Sequence, residues 1–416
     1  MREVYIVAAK RTPIGKFGGV LKNLSAADLG SVVTRAVIER AGLDPSEIDE
    51  VIFGCARQAG SGPNVARQIL WRAGLPEERI AFTVNMACAS GLKSILLGAQ
   101  EISLGNEDCI VAGGTESMSR LPFYLESARW GARLGTQALV DGMYRDGFLC
   151  PLSKMIMGET ADLLAQEYHI SREEQDAYAL ESQWKARQAI LGGRFDSEIV
   201  PVDLTTKVER NGDHPKESRA LDESVSRGGL ESAPSLVTRD EHPRLDVSIR
   251  DLNNLPPVFS KSGTITAGNS SGITDGAAAV LLMSAAKAKQ HHLEPLAHIV
   301  DWTSVGVDPR RMGIGPVPAV RQLLKKTGLR LEDFEVIELN EAFAAQVLAC
   351  DRELHFDHQK LNVNGGAIAL GHPIGATGAR IVTTLVHEME KRQAKRGLAT
   401  LCVSGGLGVA LVVERS

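Results

Sequence analysis

Residues 81–114 read AFTVNMACASGLKSILLGAQEISLGNEDCIVAGG. Ala81-Phe82-Thr83-Val84 is an apolar run of strand length. Leu92, Ile95, Leu96, Ala99 and Ile102 then recur at helical spacing until Gly105, a residue type that ends helices. Cys109-Ile110-Val111-Ala112 is the next strand, closed by Gly113-Gly114. Strand, helix and strand in direct succession indicate an α/β architecture with a largely buried sheet.

The alternation extends in both directions. Val4-Tyr5-Ile6-Val7-Ala8 is continuously apolar, as expected of a strand covered on both faces. Ser25 and Asp28 form a capping-box-like pair ahead of Leu29, Val32, Val33, Ala36 and Val37, and Gly42 ends that helix. A short strand follows at Val51-Ile52-Phe53. From about 120 to 255 the character changes. Ser171 and Glu174 open a long polar helix, and a Gly-, Pro- and charge-rich stretch runs from Lys207 to Arg250. This region reads as an insertion or cap. The α/β pattern returns at Ala277–Met283.

GLDPSEIDEVIFG (42–54) is echoed by GLRLEDFEVIELN (328–340), and CIVAGG (109–114) by CVSGG (402–406). Similar spacing between the paired segments points to two related α/β halves.

Composition narrows the function. Lys and Arg number 46 against 51 Asp and Glu, a net charge of -5, so no basic excess suggests nucleic acid or an anionic membrane. No stretch approaches the roughly 20 apolar residues of a membrane span, and the N-terminus does not read as a secretory signal. The six cysteines are dispersed and form no CxxC pair. That pattern argues against a disulfide framework or a metal site and for a reducing, cytoplasmic setting.

Cys88 stands at the strand-to-helix junction among Ala87, Ala89, Ser90 and Gly91. A helix N-terminus offers free amides and a positive dipole end, both of which favour a thiolate. His372 lies in NVNGGAIALGHPIGATGARI, before a helix expected to start near Ile374, with Pro373 in its first turn. An imidazole near a thiol can take its proton. Cys402 ends a strand ahead of Gly405-Gly406 and could serve as an acid or base. Asn340 sits at another strand-to-helix step, where it could equally be an N-cap. His355 and His358 have no partner ligands in sequence and read as surface residues. Phosphate-loop and dinucleotide signatures are missing.

Taken in order, AAKRTPIGKFGG, GSGPNVARQ, NMACASGLKSI, VAGGTESMS, MGETAD, SGTITAGNSSGITDGAAAVLLMS, GIGPVPA, NEAFAAQ, GGAIALGHPIGATGAR and CVSGGLG closely resemble the thiolase family, almost end to end. The resemblance implies a five-layered α-β-α-β-α core from two duplicated halves. The expected division is 1–119 with 256–290, an inserted loop domain at 120–255, and a second half at 291–416. It implies a homodimer or homotetramer acting on acyl-CoA and CoA, without a permanently bound cofactor or metal. Cys88 matches the acylated nucleophile, His372 its activating base, and Cys402 the acid/base of the second step. Asn340 matches the residue that fixes an oxyanion-hole water. Arg244 matches a contact near the nucleotide, and Ser271, Phe259 and Met157 match positions along the pantetheine path.

Two departures stand out. Biosynthetic acetoacetyl-CoA thiolases typically carry histidine where this chain has Ile156, which opens longer 3-ketoacyl chains. The family usually has glycine at Ser404, so Ser404 must adopt the same backbone shape outside the left-handed region. Two rival readings are a ketoacyl-synthase-like condensing enzyme, which would show a second catalytic histidine instead of the Cys402 chemistry, and a silent acyl-CoA-binding protein.

Overall fold

The computed structural model describes residues 2–205 and 235–415. The first half contains β1 (Val4–Arg11), α1 (Ala26–Ala41), β2 (Glu50–Gly54), α2 (Val65–Ala73), β3 (Ile80–Val84), α3 (Ser90–Leu104) and β4 (Cys109–Ser117). Helices α4 (Met157–Glu167) and α5 (Arg172–Leu191) follow, and the sheet resumes at β5 (Thr274–Ser284). The second half runs β6 (Ala297–Gly306), α6 (Pro316–Thr327), β7 (Val336–Leu339), α7 (Ala344–Leu354), α8 (Ile374–Arg392), β8 (Arg396–Val403) and β9 (Leu407–Glu414). The capping box of Ser25 with Asp28 and that of Ser171 with Glu174 both form, and Gly42 and Gly105 close their helices in the left-handed conformation.

Strand order is β7-β8-β9-β6-β1-β5-β4-β2-β3. The echoed segments hold equivalent places. β2 pairs in parallel with β4, and β7 pairs in parallel with β8. β5 and β9 then add antiparallel to β4 and β8. Within the sheet, the two halves join at β1 and β6 over two residue pairs, Tyr5 with His298 and Ile6 with Ala297.

Side-chain alternation builds the layers. In β5, Ala277, Ala279, Leu281 and Met283 face α1 and α2, while Ala278, Val280 and Leu282 face the middle of the molecule. In β9, Val409, Leu411 and Val413 also face the middle, while Ala410 and Val412 face α6 and α7. The middle layer is α3 and α8. The order is therefore α-β-α-β-α, and each buried strand feeds two cores.

Small residues let α3 and α8 touch. A Cβ added at Gly91 would fall 2.8 Å from the Gly375 carbonyl oxygen, and one at Gly378 would fall 2.3 Å from the Leu92 nitrogen. Gly91→Val is expected to lower stability by about 1–3 kcal/mol, because the overpacked crossing must separate. A denaturant midpoint equal to that of the parent would contradict this contact.

The described residues of 120–255 contribute no strand to the central sheet. They supply α4, α5 and two small antiparallel strand pairs, Phe123–Tyr124 with Val140–Asp141 and Val202–Asp203 with Leu236–Val237. Most of the Lys207–Arg250 stretch lies outside the described residues. A buried cation ties this region to β1. Arg11 donates through Nε to Glu198 at 2.5 Å and through Nη1 and Nη2 to Asp240 at 2.7 and 3.0 Å. Among the described residues no helix is long and apolar enough to cross a membrane.

Candidate active site

The two middle-layer helices begin side by side, and each carries a reactive group just before its first turn. Cys88 lies two residues before α3, and His372 two residues before α8. Entry into α3 is sharply bent. Ala87 holds φ at 45°, unusual for a residue with a Cβ. Local bonds secure it: the Ala87 amide donates to Asn85 Oδ1 at 3.0 Å, the Met86 amide donates to Ser90 Oγ at 2.9 Å, and Ser90 Oγ donates to the Ala87 carbonyl at 2.7 Å. Such strained turns hold a side chain outside the regular ladder. At the other helix, Gly371 takes φ of 100°, and Pro373 is the N-cap of α8 rather than part of its first turn. The pyrrolidine therefore precedes the helical hydrogen bonds and disrupts none of them.

Cys88, His372 and Cys402 line one cavity of about 320 Å³. They come from the first half, the second half and the last strand pair, and the layered fold brings them together. Cys402 arrives on β8, fully buried. Met157, Phe259, Ser271 and Arg244 line the same cavity. Arg244 is exposed, which places it at the mouth. Phe259 packs edge-on against Phe343, with ring centroids 6.2 Å apart. A side chain at Gly158 would collide with Phe259, which is why α4 opens with glycine after Met157.

The tautomer of His372 follows from its neighbours. Nδ1 lies 2.6 Å from Thr377 Oγ1, whose single proton goes to the Pro373 carbonyl at 3.1 Å. Thr377 therefore accepts from Nδ1–H, which leaves the Nε2 lone pair free. Nε2 has no protein partner among the described residues. Burial, reinforced by Arg380 and Arg57, lowers the imidazole pKa to about 3. His372 is thus a neutral imidazole able to accept a proton. Burial raises the Cys88 thiol above its ordinary value, while the Ser404 amide hydrogen bond and the Arg57 charge pull it back. Ser404 makes that bond without a positive φ, which falls instead on Gly405 and Gly406. Cys402 is raised well above the usual thiol range by burial and by Cys88. The resting state is imidazole with two thiols.

Asn340 is not at the cavity surface, and it is not an N-cap: α7 starts at Ala344 after Phe343. Its amide is fully buried, and neither Oδ1 nor Nδ2 is hydrogen-bonded to protein among the described residues. A buried amide left this way needs a small polar partner. His355 and His358 are exposed, the latter 2.9 Å from Asp351.

Three groups were not evident in sequence. Arg57 is buried and lines the cavity. His242 also lines it, with Nδ1 donating to the Ala369 carbonyl at 2.8 Å. Glu341 is buried beside Asn340 and accepts from Tyr178, Ser182, Asn362 and the Ile368 amide, bracing the glycine loop ahead of His372. Only the EA dipeptide in NEAF hinted at Glu341; nothing marked Arg57.

Comparison with known proteins identifies the family. The family model described as thiolase, N-terminal domain, matches residues 4–286, and that for thiolase, C-terminal domain, matches 293–415. The chain is 50% identical over 415 residues to an acetyl-CoA acetyltransferase of Pseudomonas aeruginosa, covering 100% of both. It is 49% identical over 415 residues to a probable acetyl-CoA acyltransferase of Staphylococcus aureus, again covering 100% of both. Among solved structures, the Bacillus anthracis acetyl-CoA acetyltransferase superposes with a TM-score of 0.91 at 43% identity, covering 100% of this chain and 99% of that one. Human mitochondrial 3-ketoacyl-CoA thiolase in complex with CoA gives 0.90 at 40% identity, covering 100% and 98%. With matching models across both halves and the layered core they describe, this chain belongs to the thiolase family.

Proposed function

We propose that the protein transfers acyl groups between coenzyme A thioesters through an acyl-Cys88 intermediate, by thiolysis of 3-ketoacyl-CoA or by its reverse, Claisen condensation. The observation that carries this reading is the shared cavity of Cys88, His372 and Cys402. In thiolysis, His372 Nε2 takes the Cys88 proton and the sulfur attacks the 3-keto carbon. The bond between C2 and C3 breaks, and its electron pair leaves on the acetyl-CoA enolate, which takes a proton from Cys402. Free coenzyme A then attacks the acyl group on Cys88, releasing the shortened acyl-CoA. The Cys88 and Ser404 amides would hold one oxyanion. His372 and a water fixed by Asn340 would hold the other.

Residues 120–255 act as the cap, with Arg244 at the nucleotide end and Met157 along the pantetheine, where Phe259 and Ser271 of the first half join it. Ile156 lines the cavity, where an aliphatic wall suits acyl chains longer than acetoacetyl. The reading extends to fatty-acid metabolism in the cytoplasm and to a homodimer or homotetramer. Ile80 and Phe82 project from the edge strand β3, with 62% and 36% exposure, a surface suited to a second copy. A condensing enzyme with a second catalytic histidine is disfavoured, since Cys402 occupies the third corner of the site. A silent binding protein is disfavoured by the complete reactive set.

The test is mass spectrometry of protein mixed with acetoacetyl-CoA alone. A 3-keto substrate should leave an acetyl group on the Cys88 peptide, and later addition of coenzyme A should discharge it. Acylation elsewhere would overturn the reading. The pH profile gives a second check. Because His372 stays neutral down to about pH 3, kcat/KM for acetoacetyl-CoA should show no inflection near 6.5, the ordinary histidine value. A tenfold fall centred there would contradict a neutral buried base.

A further inference from the structure

Behind the reactive groups, β7 and α8 enclose polar atoms that the catalytic scheme does not use. Along β7, Ile337 and Leu339 face α6 and α7, while Val336 faces the middle layer. Strand alternation therefore turns Glu338 to the middle layer as well, and Asn340 with it. The ladder still holds at Asn340, whose backbone amide donates to the Thr400 carbonyl at 3.0 Å. Opposite stands Arg380 on α8. Its Nη1 donates to Glu338 Oε2 at 3.2 Å, and the two side chains are 2% and 1% exposed.

An arginine that merely clamped this carboxylate would present its fork and bind twice. Arg380 binds once. Its Nε and Nη2, Glu338 Oε1 and both amide atoms of Asn340 are buried with no hydrogen-bond partner among the described residues. Buried polar atoms gathered on one face in this way suit bound water, each molecule taking about two to four polar partners. Side chains on a helix lean toward its N-terminus, so the guanidinium leans toward the end of α8 that carries the site. One turn before it is Thr377, which receives the His372 Nδ1 proton at 2.6 Å. The Arg380 charge is felt at His372, where it helps lower the imidazole pKa.

The two ends set the direction of the water between them. A guanidinium can only donate, so each water that it binds turns its protons away, toward an acceptor such as Asn340 Oδ1. Beyond Asn340 the chain runs to Ala342 and Phe343 on the Cys88 cavity, so the amide stands between that cavity and Arg380. With Oδ1 held from behind, Nδ2 is left to donate forward. A water that accepts from Nδ2 keeps both protons for a negative oxygen. Donors aligned from a buried cation reinforce one another, and donors fixed before charge develops give the strongest oxyanion support. The oxyanion concerned is the enolate. The Ser404 amide already hydrogen-bonds Cys88, which assigns the Ser404 and Cys88 amides to the acyl oxygen on that sulfur. The enolate oxygen of acetyl-CoA then falls to His372 and the Asn340 water.

We propose that Arg380 is a positioning residue for the enolate: through buried water it holds the Asn340 amide with Oδ1 inward and Nδ2 toward the cavity, while Glu338 keeps the guanidinium in place. This inference rests on the acyl-transfer reading and assigns the ion pair to cleavage of the bond between C2 and C3.

The test compares two reactions of the same protein. Thiolysis of acetoacetyl-CoA passes through the enolate. Exchange of labelled coenzyme A into acetyl-CoA passes through acetyl-Cys88 and forms no enolate. Arg380→Met should lower kcat for thiolysis by about tenfold or more, the scale of a charge-assisted hydrogen bond, while exchange falls by no more than about threefold. Because Arg380→Met strands the buried Glu338, the double variant Arg380→Met, Glu338→Leu removes both charges together, a change that buried pairs often tolerate. It should show the same selective loss. In an Asn340→Ala background, Arg380→Met should cause no further loss of thiolysis, since the amide that it orients is gone. Equal losses in the two reactions, an unchanged kcat for thiolysis, or a further tenfold loss in the Asn340→Ala background overturns the proposal. A parent protein that catalyses neither reaction overturns the acyl-transfer reading along with it.

Discussion

Cys88→Ala is expected to reduce thiolysis of acetoacetyl-CoA by at least about 10⁴-fold while leaving the fold intact, because a covalent route has no substitute nucleophile. Cys402 cannot take over: it is buried on β8 with its thiol raised well above the usual range. Removing one sulfur from a half-buried position changes little packing, so the thermal midpoint should stay near that of the parent. Cys88→Ser should also fail, because a hydroxyl is a far poorer nucleophile beside a base of such low proton affinity. The measurement is turnover at saturating substrate alongside a melting curve. Residual activity within a factor of about ten of the parent, in protein free of contamination, would move the nucleophile to another residue.

The second large effect concerns an anchor away from the chemistry. Arg11 is fully buried and joins Glu198 and Asp240, both of which are themselves buried at the side chain. Arg11→Met keeps most of the volume and removes the cation. Glu198 and Asp240 are then left as uncompensated buried carboxylates, a situation that costs about 3–5 kcal/mol. The loss should appear as a lower denaturant midpoint. A specific kinetic signature should accompany it. Asp240 also accepts from the Ile14 amide at 2.8 Å, and the chain runs from it to His242 and Arg244 on the cavity. Loosening that segment should raise KM for coenzyme A more than it lowers kcat. A variant with parental stability and parental KM would show that the anchor is dispensable.

The three groups that share the cavity were legible in sequence because each is framed by small residues at a change of secondary structure. Cys88 after a strand, His372 among glycines and Cys402 before Gly405-Gly406 all carry that punctuation. Layering was less legible. Helix α8 contains Gly375, Thr377, Gly378, Arg380, Thr383 and Thr384, which suggests an exposed face. Yet residues from Ile374 to Met389 are all buried, because the helix lies between two sheet layers. Its polar groups are satisfied in part: Arg380 Nη1 donates to Glu338 at 3.2 Å and Thr383 donates to the Ala379 carbonyl at 2.9 Å, while Arg380 Nε and Nη2 are buried with no hydrogen-bond partner among the described residues. The strand order was hidden too, since register and neighbours depend on contacts far apart in the chain. Arg57 sits in an irregular GCARQAG segment, and its importance depends on Gly147, some ninety positions away. Ala87 at φ of 45° was equally hidden, because alanine gives no sign of a left-handed backbone.

The pairing of Cys88 and His372 at the mouths of α3 and α8 bears on how such a catalyst could be lost. Each half contributes one of the two groups, and the counterpart position in the other half carries something different. Neither half alone holds the couple: one supplies the sulfur and the other the imidazole. Any change that lets the two helix mouths drift apart therefore disables the site without touching either group.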